Sequence, residues 1–108
     1  MVGSSEVRDP EAEIRYLARS LKGEMTDIAG FLDGIMGLTE RVNEVCLSVR
    51  GADRLAAELG DGSVVEVRVP RVRQAMHLVA ARAESCASET LDTDINETND
   101  RVVLRVRD

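Results

Sequence analysis

Only two of the 108 residues are aromatic, Tyr16 and Phe31, so any core this chain builds must be filled with Val, Leu, Ile, Ala and Met. Side chains of that size fill seams between packed helices better than they wall a deep pocket. A chain of this length supports one small domain, or two sub-modules sharing a core. It excludes the separate nucleotide and substrate domains of a large enzyme.

The charge balance narrows the function. Twenty acidic residues against fourteen basic ones give a net charge of −6. That argues against nucleic acid or an anionic membrane as a partner and disfavours acidic partners generally. No run of about 18 apolar residues occurs, and the start Met1-Val2-Gly3-Ser4-Ser5-Glu6 lacks the charged head and apolar middle of a signal peptide. A cytoplasmic protein is the expectation. The two cysteines, Cys46 and Cys86, are too few and too far apart for a disulfide framework or a metal cluster. No cofactor and no metal are expected.

Along the chain, residues 1 to 9 show no period and read as a flexible terminus. Asp9-Pro10-Glu11 is a helix start: Asp9 can accept from the first free amides, Pro10 pre-sets φ, and Glu11 and Glu13 complement the positive end of the helix dipole. From there Ile14, Leu17, Leu21, Met25, Ile28, Leu32 and Ile35 follow at steps of three and four. They form one narrow stripe, suited to coiled-coil-like packing. Gly30, Gly34 and Gly37 then weaken helix propensity, and Thr39 can cap a new helix, so a reversal is expected near residues 36 to 39. A second stripe at Val42, Val45, Val49, Ala52, Ala56 and Leu59 completes a helical hairpin. Each hairpin has too little bulk to stand alone, which predicts a homodimer with a shared four-helix core.

Beyond Gly60-Asp61-Gly62, the run Val64-Val65-Glu66-Val67-Arg68-Val69 alternates as a half-buried strand does, and Pro70 ends it. Residues 71 to 88 return to helical spacing, and residues 89 to 100 read as a polar, acidic loop. Val102, Leu104 and Val106 then share one face of a last strand. The expected architecture is α+β and mainly α. It has a helical hairpin over residues 10 to 60, dimerising into a four-helix bundle, and a small two-stranded βαβ cap over residues 61 to 108.

The chemistry-bearing residues are few. His77 is the only histidine, and Arg73 and Ala81 flank it at four residues on either side, so no carboxylate there orients or tunes the ring. Asp92-Thr93-Asp94-Ile95-Asn96 begins like a calcium loop, but Glu97 replaces the turn glycine and Val103 stands where a bidentate Glu is needed. The bland alternative, a solvated loop, fits better.

The stretch Arg19-Ser20-Leu21-Lys22-Gly23-Glu24-Met25-Thr26-Asp27-Ile28-Ala29-Gly30-Phe31-Leu32 resembles the first helix of the dimerisation and phosphoacceptor domain of sensor histidine kinases. Val49-Arg50-Gly51-Ala52-Asp53-Arg54-Leu55 resembles the family's second helix. The segment from Pro70 to Ala83 is similar to the helix that opens its ATP-binding domain. The residues Ala18-Arg19-Ser20-Leu21-Lys22-Gly23 are also similar to the motif of histidine phosphotransfer domains. In both families the phosphoacceptor histidine would fall at Arg19, which cannot form a phosphoimidazole. In the kinase pattern Glu24 replaces a proline, and Leu78 and Arg82 stand where asparagines hold magnesium and ATP.

The resemblance therefore implies a non-catalytic signalling scaffold, a pseudokinase in two-component terms. It would bind a receiver-domain or kinase protein through Arg19, Lys22 and Asp27. Two other classes compete with it: a phosphotransferase using His77, and an oligomerisation protein unrelated to phosphorelays.

Overall fold

The computed structural model describes residues 9–22 and 26–107. Helix α1 (Pro10–Leu17) starts where the sequence places it. Asp9 accepts a hydrogen bond from the Ala12 amide at 2.7 Å, and Pro10 opens the first turn. A 3-10 turn (Ala18–Leu21) follows. Helix α2 (Ile28–Val42) is capped by Asp27, which accepts from the Gly30 amide at 2.9 Å.

The expected reversal at 36 to 39 does not occur, and α2 runs through Gly34 and Gly37 to Val42. Gly34 serves a different purpose there: a Cβ at this position would fall on the methyls of Leu17, so its absence lets α1 and α2 approach closely. Asn43, at φ 71°, ends the helix and turns the chain into the sheet.

From this point the fold departs from the expected hairpin. Residues expected in a second helix form strands β1 (Glu44–Arg50) and β2 (Arg54–Leu59), joined by a tight turn in which Gly51 takes φ +70°. Strand β3 (Val64–Arg68) and helix α3 (Val72–Ala83) come next, the latter trailed by a 3-10 turn (Glu84–Cys86). Strands β4 (Leu91–Ile95) and β5 (Arg101–Val106) complete the chain. The sheet order is β3-β2-β1-β5-β4, and every neighbouring pair is antiparallel.

The dimeric four-helix bundle, its coiled-coil seam and the two-stranded βαβ cap are thus replaced, among the described residues, by one five-stranded antiparallel sheet with three short α-helices. The two foreseen strands, β3 and β5, are not neighbours but are separated by β2 and β1. The acidic loop contains a strand, β4. The boundary foreseen at residue 60 falls inside the β2–β3 hairpin, and β1 pairs with β5 from the other side of it.

The register explains the core. Val45, Leu47 and Val49 lie opposite Leu59, Ala57 and Leu55, while Leu104 and Val102 flank Val45 and Leu47 from the other side. That face meets Phe31, Leu32, Ile35 and Leu38 of α2, Ile14 of α1, and Val72, Met76 and Val79 of α3. The residues expected to form a dimer seam are consumed here. Ile14, Leu21, Leu32, Val45 and Leu59 are buried in the chain's own core, and Leu17, Ile28, Val42 and Val49 pack against it. Met25 lies outside the described residues. Among the described residues no helix is long and apolar enough to cross a membrane.

Candidate protein-interaction site

The proposed contact residues separate in the structure. Arg19 leaves the 3-10 turn with its guanidinium 6.0 Å from the centroid of the Tyr16 ring. It lines a cavity of about 350 Å³ together with Tyr16, Leu17, Ser20, Asp27 and Gly30. Arg19 and Asp27 are therefore brought together, although the Asp27 carboxylate is already engaged as the cap of α2. Lys22 is exposed and does not line this cavity. Another cavity, about 410 Å³, opens between α2 and the β4 edge and is walled by Met36, Thr39, Leu91 and Val106 with Cys86 beside them. Thr39 is the one buried polar side chain among the described residues, and its hydroxyl donates to the Met36 carbonyl.

His77 is exposed on α3, and its Nδ1 lies 3.2 Å from Nδ2 of Asn99. An amide nitrogen only donates, so as placed the ring nitrogen accepts. Together with the Arg73–Asp100 pair at 3.1 Å, this contact ties α3 to the β4–β5 turn. No group of three His, Cys, Asp or Glu side chains among the described residues can hold a metal ion. Of the Asp92–Asn96 segment that began like a calcium loop, residues 92 to 95 lie in β4, with Asp92 held by Arg105 and Arg107 at 3.6 and 3.4 Å.

The strongest concentration of charge lies on the sheet face away from the core. Alternation places Arg50, Ser48, Cys46 and Glu44 of β1 on it, next to Arg54, Ala56 and Glu58 of β2 and to Arg101, Val103 and Arg105 of β5. Along its length the face is polarised. At one end Arg50 faces Arg54, and Arg54 faces Arg68, in a single cross-strand row. At the other end Glu44, Glu58, Asp92 and Asp94 surround a single cation, Arg105, which pairs with Glu44 and Asp92.

Directly opposed like charges destabilise a sheet by roughly 0.2–1 kcal/mol a pair, yet this row holds three cations. Asp53 answers one of them, with Oδ2 at 3.2 Å from Arg68 Nε. Arg50 and Arg54 have no acidic partner among the described residues.

One row further along, Arg101 donates from Nε to Cys46 Sγ at 3.3 Å and lies over that thiol. This hydrogen bond is the first cause holding the guanidinium proton even more firmly than usual. Arg105 is held in the same sense, first by its hydrogen bond to Glu44 at 2.9 Å. Such cover accounts for Cys46 being buried on a face that no helix among the described residues packs against.

The row was hidden in the sequence because Arg50 and Arg54 sat on a supposed helix, four residues apart. Only strand pairing puts them face to face and adds Arg68.

Comparison with known proteins finds no matching family model, no matching curated protein and no matching solved structure.

Proposed function

We propose that this chain is a non-catalytic, cytoplasmic protein-interaction module that docks an acidic surface of another protein on the arginine end of its open sheet face. The observation that carries the proposal is the in-register row Arg50–Arg54–Arg68. It costs stability, so a structural reason for it is lacking, and guanidinium groups are well suited to binding carboxylates through paired hydrogen bonds. The net charge of −6 governs the field far from the molecule. At physiological salt that field is screened beyond about 8 Å, so the local row decides what docks there. The absence of a net positive surface still weighs against nucleic acid. Both cysteines are free thiols, as suits a reducing compartment.

A glutamate-rich peptide is the direct probe. Arg50→Glu and Arg54→Glu should each weaken its binding about tenfold or more, with a shallower salt dependence. Arg82→Glu on α3 changes net charge equally and should leave binding intact. Equal loss in all three variants, or loss in none, refutes the row as the site.

A second surface is favoured by the cavity that Arg19 and Asp27 share. There the signalling role implied by the resemblance to histidine kinases would be exercised on a receiver-domain protein. Arg19→Ala should weaken capture of a purified receiver domain, and unchanged capture would remove this reading.

A further inference from the structure

The two edges of the sheet differ in what they offer a second strand. In the β2–β3 hairpin, Leu59 donates to the Ser63 carbonyl and Val69 donates to the Asp53 carbonyl. The odd-numbered residues of β3 therefore bond inward, to β2. The even-numbered ones, Val64, Glu66 and Arg68, aim their backbone N–H and C=O groups at the free edge. Among the described residues the only bond made there is a long one, from the Arg15 guanidinium to the Glu66 carbonyl at 3.4 Å. Val64, at the start of the edge, is 49% exposed.

At the other edge, Arg107 donates to the Thr90 carbonyl and Asn96 donates to that of Arg101. This leaves Leu91, Thr93 and Ile95 facing outward, but Ser88 already takes both backbone groups of Leu91. Pairing the remaining two residues, Thr93 opposite Ile95, with a second copy would stack Asp94 on the second copy's Asp94 across the two-fold axis.

We propose that β3 pairs with β3 of a second copy, antiparallel and centred on Val67, so that Glu66 lies opposite the second copy's Arg68 and Arg68 opposite its Glu66. Antiparallel neighbours directly opposite present their side chains on the same face, and both residues belong to the open face. Each of the two pairs exchanges both backbone bonds and sets opposite charges together.

The register shifted to put Glu66 on Glu66 opposes two carboxylates, so charge selects the first. Within one copy Glu66 faces Ala56 and its carboxylate has no cation bonded to it among the described residues. Arg15 gives up only its long contact and keeps Glu11, 3.2 Å away. The result is an isologous dimer with a continuous ten-stranded sheet. The two arginine rows then lie on one shared face, related by the two-fold axis.

Solution mass of the full chain, measured by sedimentation over a concentration series, tests this proposal. A dimer is expected. Arg68→Glu and Glu66→Arg should each raise its dissociation constant at least about tenfold, and an equimolar mixture of the two variants should restore association, because every pair in the mixed dimer is again of opposite charge. The mixture also controls for folding, since misfolded variants would not rescue one another. A monomer at all concentrations, a dimer indifferent to both reversals, or a mixture that stays monomeric overturns the proposal. Arg50→Glu should leave the dimer intact, so failure here and failure of the peptide-binding role are read separately.

Discussion

The two faces of the sheet are built from the same strands, residue by residue in alternation, yet they follow different rules. On the face toward the helices, Val45, Leu47, Leu55, Ala57, Val102 and Leu104 are all fully buried. There, volume decides what is tolerated, because the three helices close over the strands and leave no room for adjustment. On the other face the neighbours of those residues are the charged Glu44, Arg54, Glu58, Arg101 and Arg105, set around Ser48 and the small, buried Cys46, Ala56 and Val103. There, charge varies freely, and the distribution found, three arginines in one row at one end and carboxylates around Arg105 at the other, is not the one that would stabilise the sheet best. The contrast teaches where in this chain to look for function. Packing explains the first face in full. It leaves the arginine row on the second unexplained.

The sharpest way to break this contrast is to truncate neighbouring residues of the central strand. Leu47→Ala on the buried face should destabilise the chain by about 2–5 kcal/mol in a denaturant titration, whereas Ser48→Ala on the open face should stay within about 0.5 kcal/mol. Similar costs for the two would mean that the open face is packed after all.

A smaller effect separates two glycines. A Cβ at Gly60 would run into the main-chain carbonyl of Val42, where α2 enters the sheet. A backbone group cannot swing aside, and Gly60→Ala should cost about 1–3 kcal/mol. Gly37 lies in α2 with open space around it, so Gly37→Ala should stabilise by about 0.5–1 kcal/mol through the helix. Thermal melts of the two variants should move in opposite directions.

The smallest effect is electrostatic. The Asp61 carboxyl in the β2–β3 turn is held below its ordinary value by hydrogen bonds from the Ser63 hydroxyl and amide. Being lowered in the folded chain, it contributes stability above the ordinary carboxyl range, and that contribution is lost as pH falls through the lowered value. A chemical-shift titration of Asp61 should show the depressed midpoint in the folded chain, and Ser63→Ala should move it back up.

The sequence discloses part of this molecule. The helix start at Asp9-Pro10, the strand before Pro70, the helix after it and the final strand were legible because caps, proline and alternation agree with the tertiary structure there. The region from 36 to 59 misled because its apolar residues satisfy two periods at once. Val42, Val45, Val49, Ala52, Ala56 and Leu59 step by threes and fours, while Val45, Leu47, Val49 and then Leu55, Ala57, Leu59 step by twos. The turn settles the competition: Gly51 at φ +70° breaks a helix and closes a hairpin. Strand β4 was missed because Asp92 and Asp94 read as loop residues, whereas on an edge they are ordinary occupants of the solvent face. Of the contact residues drawn from the sequence, Arg19 and Asp27 do share a cavity. The arginine row could not be foreseen, since it exists only through the pairing of three strands.

Replacing Arg54, the middle cation of the row, with threonine tests the central claim most directly when stability and binding are measured on the same variant. If the row is kept for binding at a cost to the fold, Arg54→Thr should melt higher, by the equivalent of about 0.2–1 kcal/mol as like-charge repulsion is relieved, while its affinity for a glutamate-rich peptide falls. A variant that melts lower, or one that binds the peptide as tightly as the parent chain, would contradict the claim.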